Sequence, residues 1–416
     1  MRILVLTNFY PPQFIGGYEL QCQVYAEGLR EKGHEVRVLT SRHGASGIYE
    51  HVHRLLYYIN PADDELNYPS WIPRRLSRPY IHLQRALNAR RNYRITRQTA
   101  LEFKPDLVFV WNMSAVEATP VLSAQRLQLP MVFNLGDYWL AKLRRQLGPE
   151  FSLPLRLYRT YYRGIANFDE LDVSYLQIIS ETLKQHYVNA GFSPDSLTVI
   201  PRGIDPQYII DEADLPSDFH ERGDKTIRMM YAGRLDTDKG VHIAIEALGR
   251  LSDYPWNITL DIMGDGEQAY MEHLQDLIQM YGLEKRVNFL GHQPREKVLA
   301  AYKKVDLALL PSIWVEPFGN VVLEALAHGV PMIATDQGGP SETITHRENG
   351  LLVPPNDAAA MADAIQMLVS EPDLMANIRR KGLQIVREKY NSRLLLNKIE
   401  EYLLNVLDKH RIERKA

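Results

Sequence analysis

The run Val305-Asp306-Leu307-Ala308-Leu309-Leu310-Pro311-Ser312, continued by Glu316-Pro317-Phe318-Gly319-Asn320-Val321-Val322-Leu323-Glu324, carries the fold of this chain in miniature. Val305 to Leu310 is an almost unbroken apolar stretch, short enough for a strand and suited to burial on both faces. Pro311-Ser312 interrupts it, and from about Phe318 to His328 the pattern turns helical. Strand, loop and helix make up the repeating part of a parallel βαβ unit. A chain built of such units is an α/β protein with helices on both faces of its sheets.

Outward from this stretch the same alternation recurs. In the first half the apolar runs are Ile3–Thr7, Val36–Thr40, Leu107–Trp111, Met131–Leu135, Gln177–Ser180 and Leu197–Ile200. In the second they are Ile227–Ala232, Ile258–Met263, Val287–Leu290, Leu307–Leu310, Met332–Thr335 and Leu351–Val353. Two such sets predict two doubly wound domains, and 416 residues are too many for one core. Ligands of such folds sit beyond the carboxyl ends of the strands, where the chain order reverses. The seam is expected in Ile200-Pro201-Arg202-Gly203-Ile204-Asp205-Pro206, dividing the chain into 1–202 and 203–393. A last amphipathic helix is expected over Leu394 to Leu407. His43 to Arg78, rich in Tyr, Pro and His, reads as a long irregular insertion with a functional role.

Composition narrows the class. Hydrophobic content of 45% and charged content of 24% are those of a globular protein. The single cysteine, Cys22, excludes a disulfide framework and a Cys-based zinc site, and its place in a predicted helix suits a packed thiol. A reducing, cytoplasmic setting is expected. The apolar start Ile3 to Leu6 is too short for a signal-peptide core, and no run approaches the roughly 18 apolar residues of a membrane span. Residues 1–200 hold 23 Lys and Arg against 18 Asp and Glu, whereas the remainder holds 25 against 33. Within Trp71 to Ala100 lie eight arginines and no acid. This run reads either as a patch for an anionic partner, such as the inner membrane face or a phosphorylated acceptor, or as a solvated helix face. Nothing resembles a nucleic-acid-binding signature.

Several clusters carry chemistry. Glu316 falls in the loop above a strand end and Glu324 on the following helix. Between them lie the amides of Phe318, Gly319, Asn320 and Val321, and unpaired N–H groups at a helix N-terminus bind anions. Carboxylates suit vicinal hydroxyls, so the order diol, phosphate, diol matches a nucleotide-sugar; a Pro-Phe-Gly turn with two solvated glutamates is the plainer reading. Gly233-Arg234-Leu235-Asp236-Thr237-Asp238-Lys239-Gly240 places two cations at a strand's carboxyl end, where they can neutralise a diphosphate without a metal. Asp236-Thr237-Asp238 has a metal-binding spacing but is flanked by those cations, which favours a surface turn. Gly264-Asp265-Gly266-Glu267-Gln268-Ala269 fits a dinucleotide pattern, yet on the second strand of its domain it reads as a turn lining a nucleotide pocket. Gly16 and Gly17 either let backbone approach an anion or merely connect strand to helix. Asp137 is placed either to touch a transferred sugar or to cap the next helix. No serine-hydrolase, zinc-protease or P-loop motif is present.

Taken in order, Gly16-Gly17, Gly33-His34-Glu35-Val36, Ile200 to Asp205, Gly233-Arg234 with Lys239-Gly240, Gly264-Asp265-Gly266 and Pro311-Ser312 before Glu316 and Glu324 resemble the retaining glycosyltransferases of family 4 (group 1). The resemblance implies a GT-B fold, two Rossmann-like domains facing a central cleft, with a terminal helix over about 394–416 crossing back to the first. It implies sugar transfer from a UDP- or GDP-type nucleoside-diphosphate sugar to a glycan, glycolipid or small-molecule acceptor in polysaccharide biosynthesis. No cofactor and no essential metal are implied. Glu316 would meet the donor sugar, Glu324 the ribose, Arg234 and Lys239 the diphosphate, and backbone near Phe289 and Leu290 the base; Gly16, Gly17, Gly233, Gly264 and Phe318 to Val321 would complete the donor site. Gly136 stands where many relatives have a histidine, which bears on donor choice. Three rival readings stay open: a nucleotide-sugar epimerase, a non-catalytic nucleotide-sugar-binding protein, and an NAD enzyme through Gly264 to Ala269.

Overall fold

The computed structural model describes residues 1–14, 16–58, 74–148, 159–160, 165–215 and 225–414. They form two compact units, one of Met1–Ile179, Leu183–Ile200 and Leu396–Ala416, the other of Ser180–Thr182 and Pro201–Leu395. The division thus falls between Ile200 and Pro201, within the expected seam and two residues before the 202/203 boundary.

The first unit holds an eight-stranded sheet in the order β3-β4-β2-β1-β5-β6-β7-β8. Its strands are β1 (Arg2–Leu6), β2 (Glu35–Ser41), β3 (Gly47–Tyr49), β4 (Val52–Leu56), β5 (Leu107–Val110), β6 (Met131–Leu135), β7 (Leu176–Ile178) and β8 (Leu197–Val199). All pair in parallel except β3 with β4. The β1, β5 and β6 side chains are buried almost without exception, because helices cover both faces of a parallel sheet. The expected irregular insertion is corrected here. Its first part is a hairpin, and β4 joins the sheet beside β2. Polar residues in β4 hid it: Arg54 is buried and donates to the carbonyls of Tyr10 and Pro11 at 2.9 and 2.6 Å. Residues 59–73, which include the middle of that insertion and the start of the arginine-rich run, lie outside the described residues. The rest of the run belongs to the helix Arg74–Phe103, on which Arg90, Arg94 and Arg97 are exposed at helical spacing.

The final helix, Ser392–Glu413, is longer than the sequence pattern indicates. From Leu396 onward it belongs to the first unit, where Glu400 accepts from Lys32 Nζ at 2.5 Å and pairs with His34 Nε2 at 2.7 Å. Leu396 lies over Gly28 of the helix Gly17–Glu31 so closely that a Cβ there would meet its Cδ2 at 2.5 Å. Cys22, on the same helix, is buried as a packed thiol.

The second unit holds a six-stranded, wholly parallel sheet in the order β11-β10-β9-β12-β13-β14. Its strands are β9 (Thr226–Ala232), β10 (Asn257–Met263), β11 (Val287–Gly291), β12 (Leu307–Leu310), β13 (Met332–Thr335) and β14 (Leu351–Val353). Ile227, Met229, Tyr231, Ile258, Leu260, Ile262, Leu307, Leu309 and Ile333 form its core with helices Val241–Arg250, Gln268–Met280 and Ala358–Ser370. In each sheet the order reverses beside the first strand, between β1 and β5 and between β9 and β12. Loops leaving such a pair diverge to opposite faces and open a crevice at the carboxyl ends.

Candidate active site

At the β9/β12 reversal, Gly233 to Gly240 leaves β9 and Pro311 to Gly319 leaves β12. The two loops are tied together. The Asp238 carbonyl accepts from the N–H groups of Ile313 and Trp314 at 2.8 and 2.9 Å. Gly240 is left-handed with φ +67°, and a Cβ there would lie 2.1 Å from the Pro311 carbonyl oxygen. Only glycine allows this approach in this conformation.

The fastening brings Lys239 and Glu316 into contact across the crevice. Lys239 Nζ lies 2.5 Å from Glu316 Oε1, and both side chains are largely shielded from solvent. Ser312 Oγ, fully buried, donates to the same oxygen at 3.1 Å. Backbone holds Glu316 in place: its carbonyl accepts from Gly339 N–H at 2.8 Å. Arg234 is different. Its side chain is 76% exposed, its nearest carboxylate is Asp236 at 3.9 Å, and so it extends into solvent. Asp236 accepts from Asp238 N–H and caps the 3-10 turn Thr237–Lys239, as the surface-turn reading expects. Among the described residues, no cluster of three or more His, Cys, Asp or Glu could hold a metal.

The helix expected from Phe318 begins at Asn320 and ends at Ala327, after Gly319 turns left-handed at φ +82°. The Asn320 and Val321 N–H groups have no hydrogen-bond partner among the described residues. They form the anion-receptive end that the sequence places between the two glutamates. Phe318 is buried against Tyr390.

Glu324, one turn and more into this helix, is buried and paired with Arg295 Nη2 at 3.0 Å. Burial raises its pKa above the usual carboxylate value, and Arg295 opposes that shift. Its carbonyl accepts from His328 Nδ1 at 2.7 Å, with burial holding the imidazole pKa below its usual value. A lone solvated glutamate, the plainer sequence reading, is therefore wrong for Glu324. Arg295 was missed in the sequence, because it reaches Glu324 only through the packed fold; His328 was missed too, though it stands one helical turn after Glu324.

Gly264 and Gly266 serve backbone against backbone. Gly264 has φ +152°, and a Cβ there would meet the Gly233 carbonyl oxygen at 1.8 Å; Gly266 stands equally close to Leu235. These glycines let the loops after β9 and β10 touch, so the G-x-G signal marks loop packing. Phe289 packs partly buried against the core from edge strand β11, while Leu290 is 39% exposed.

The first unit repeats the pattern at its own reversal. Asn8, after β1, donates to Asn112, after β5, at 2.8 Å, and Asn112 donates to Asp137 Oδ2 at 2.6 Å. Asp137 Oδ1 accepts from Trp139 N–H at 3.0 Å, but the N-cap of the helix Trp139–Gln146 is Tyr138, one residue beyond the position the sequence offered. Asn8 and Asn112 were not singled out from sequence. Gly16 N–H is engaged by Glu19 Oε2 at 3.0 Å, and Gly17 opens the helix behind it.

Known proteins match both halves. The model described as Glycosyltransferase Family 4 matches residues 15–208, and the one described as Glycosyl transferases group 1 matches residues 216–384. An uncharacterized glycosyltransferase of Methanocaldococcus jannaschii is 26% identical over 406 residues, covering 94% of this chain and 95% of that protein. A glycogen synthase of Mycobacterium tuberculosis is 27% identical, covering 89% of this chain and 87% of that one. The crystal structure of HepE from Anabaena, in complex with UDP-glucose, superposes with a TM-score of 0.66 at 25% identity, covering 97% of this chain and 100% of that one.

Proposed function

We propose, from the premise that this chain belongs to the GT-B-fold glycosyltransferases of the family 4 and group 1 kind, that it transfers a sugar from a UDP- or GDP-sugar to an acceptor hydroxyl with retention of configuration. The observation that carries the reading is the contact of Lys239 with Glu316 at the β9/β12 reversal, beside the open amides of Asn320 and Val321. A donor needs a cation and amides for its diphosphate and an acceptor of hydrogen bonds for its sugar ring. The three stand together there.

In this reading the bond between the anomeric carbon and the phosphate oxygen breaks. Lys239, the helix amides and the solvent-exposed guanidinium of Arg234 receive the charge that gathers on the leaving diphosphate. The acceptor hydroxyl forms the new bond on the same face and passes its proton to the departing phosphate. Before the donor arrives, Glu316 neutralises Lys239; with the donor bound, the ammonium turns to phosphate and the carboxylate to sugar hydroxyls. Glu324, fixed by Arg295, offers its remaining acceptor capacity to the ribose. Protein cations in these places support a metal-independent reaction. UDP-glucose in the HepE complex and the glycogen synthase relative support a nucleotide-sugar donor and a glycan acceptor in polysaccharide synthesis. The Arg90, Arg94 and Arg97 stripe supports contact with an anionic membrane face in the cytoplasm. No helix among the described residues is long and apolar enough to cross a membrane.

The test is a thermal-shift series with UDP, GDP, UDP-glucose and GDP-mannose, followed by donor turnover with and without chelator and NMR of the product's anomeric proton. Ligand at about a hundred times its Kd adds roughly 2.7 kcal/mol to stability, so a true donor shifts the melting point clearly. No shift with any of the four removes the reading. Inverted product removes the stereochemical part, and loss of turnover with chelator the metal-independent part.

A further inference from the structure

The two loops that bring Lys239 to Glu316 also build a second cavity, of about 460 Å³, on residues that precede each of them. It is lined by Asp238, Trp314 and Gln337 from loops and by His242, Tyr270 and His273 from the helices Val241–Arg250 and Gln268–Met280. All of these belong to the second unit. The donor reading uses none of these side chains, and of them only Asp238 falls in a motif read from the sequence.

Its lining is unusual in two respects. Trp314 is 41% exposed and Val315 beside it 40%, so two consecutive apolar side chains face solvent at the mouth. Isolated exposed apolar residues are ordinary, but an indole set in a cavity among hydrogen-bonding groups is a recognition feature. The polar groups are mostly hydrogen-bonding side chains: two imidazoles, a phenol and an amide. His242 Nδ1 is 2.9 Å from the Tyr270 hydroxyl, and burial lowers its pKa, so it is uncharged at neutral pH. Gln337 is anchored by its amide to the Ile313 carbonyl at 2.7 Å, which fixes the orientation of its oxygen. Asp238 adds a carboxylate to the lining, which disfavours phosphates and nucleotides.

We propose that this cavity is a binding subsite for a neutral sugar residue of a glycan chain, stacked on Trp314 and held through its hydroxyls by Asp238, His242, His273 and Gln337. A pyranose ring has an apolar C–H face and a rim of hydroxyls that both donate and accept. An aromatic plane bordered by a carboxylate, two imidazoles and an amide answers both parts. The subsite deepens the transferase reading and rests on its glycan acceptor. Lying beside Lys239 and Glu316 in sequence and space, it would hold a growing chain near the donor and raise the local concentration of acceptor ends.

The test uses the full chain and three probes: neutral hexasaccharides of glucose, galactose and mannose. Binding is read by tryptophan fluorescence and by retardation in gels containing the matching polysaccharide, with UDP thermal shift measured in parallel. Wild type should bind at least one probe saturably. Trp314→Ala and His273→Ala should each weaken that binding about tenfold or more while the UDP shift stays at the wild-type value. His273 is exposed, so its variant folds even if loss of Trp314 does not leave a stable protein. Glycan binding that survives while wild type shows no shift with UDP, GDP, UDP-glucose or GDP-mannose would overturn the donor reading and leave the subsite standing. No binding of any probe, equal binding by both variants, or loss of the UDP shift in Trp314→Ala would each overturn the subsite.

Discussion

Replacing Lys239 by methionine separates structural from chemical roles of its contact with Glu316. The side chains of Lys239 and Glu316 are 16% and 13% exposed, and the ammonium sits 2.5 Å from the carboxylate. An exposed pair contributes about 0–1 kcal/mol, whereas removing one partner of a buried pair costs about 3–5 kcal/mol. This pair lies between those cases, and Ser312 still donates to Glu316 after the change, so a loss of about 2–3 kcal/mol is expected. In a unit of roughly 200 residues that lowers Tm by about 4–12 °C. Adding Glu316→Gln removes the stranded charge and should restore most of the stability, as a double-mutant cycle followed by calorimetry will show. Turnover should behave otherwise. Lys239→Met loses a group that stabilises the leaving diphosphate, worth about a hundredfold or more in kcat, and Glu316→Gln cannot replace it. Radiolabelled donor consumption at saturating UDP-sugar, measured well below each variant's Tm, reads this directly. If turnover recovers in step with stability in the double variant, the pair is a structural brace and its proposed chemistry is refuted. Unchanged turnover in Lys239→Met alone would do the same.

Gly264→Ala drives a Cβ into the Gly233 carbonyl oxygen and should cost well over about 2 kcal/mol, whereas Gly282→Ala, at φ +63° with open space around it, should cost only about 1 kcal/mol; urea melts of both distinguish close approach from backbone conformation alone. Gly28→Val pushes against Leu396 and should loosen the final helix by about 1–3 kcal/mol, visible as faster amide exchange over 392–413. Glu400 is held below the usual carboxylate pKa, first by the hydrogen bond from Lys32 and also by His34. A depressed folded-state pKa adds stability above the unfolded value of about 4.3 and loses it as pH falls through the folded one. Wild type should therefore exceed Glu400→Gln in Tm at pH 7, and the gap should close below about pH 4.

Periodicity and chain order were enough for the two parallel sheets. Met332–Thr335 and Leu351–Val353 match their strands to the residue, because strands covered on both faces must be apolar throughout. Gln177–Ser180 was placed one residue late at its start, and β4 was hidden, because a strand that buries Gln177 or Arg54 shows no apolar run. Glu316, Glu324, Lys239 and the amides between them were legible too, since helix ends, breaker residues and charge follow from local chemistry. Their partners were not. Arg295 finds Glu324 and Asn8 finds Asn112 only when segments distant in sequence lie side by side, and Trp314 becomes a cavity wall only once two loops are fastened together. Local patterns record what each segment must bury or cap; which side chains meet across a sheet's reversal is decided by the packing of the whole unit.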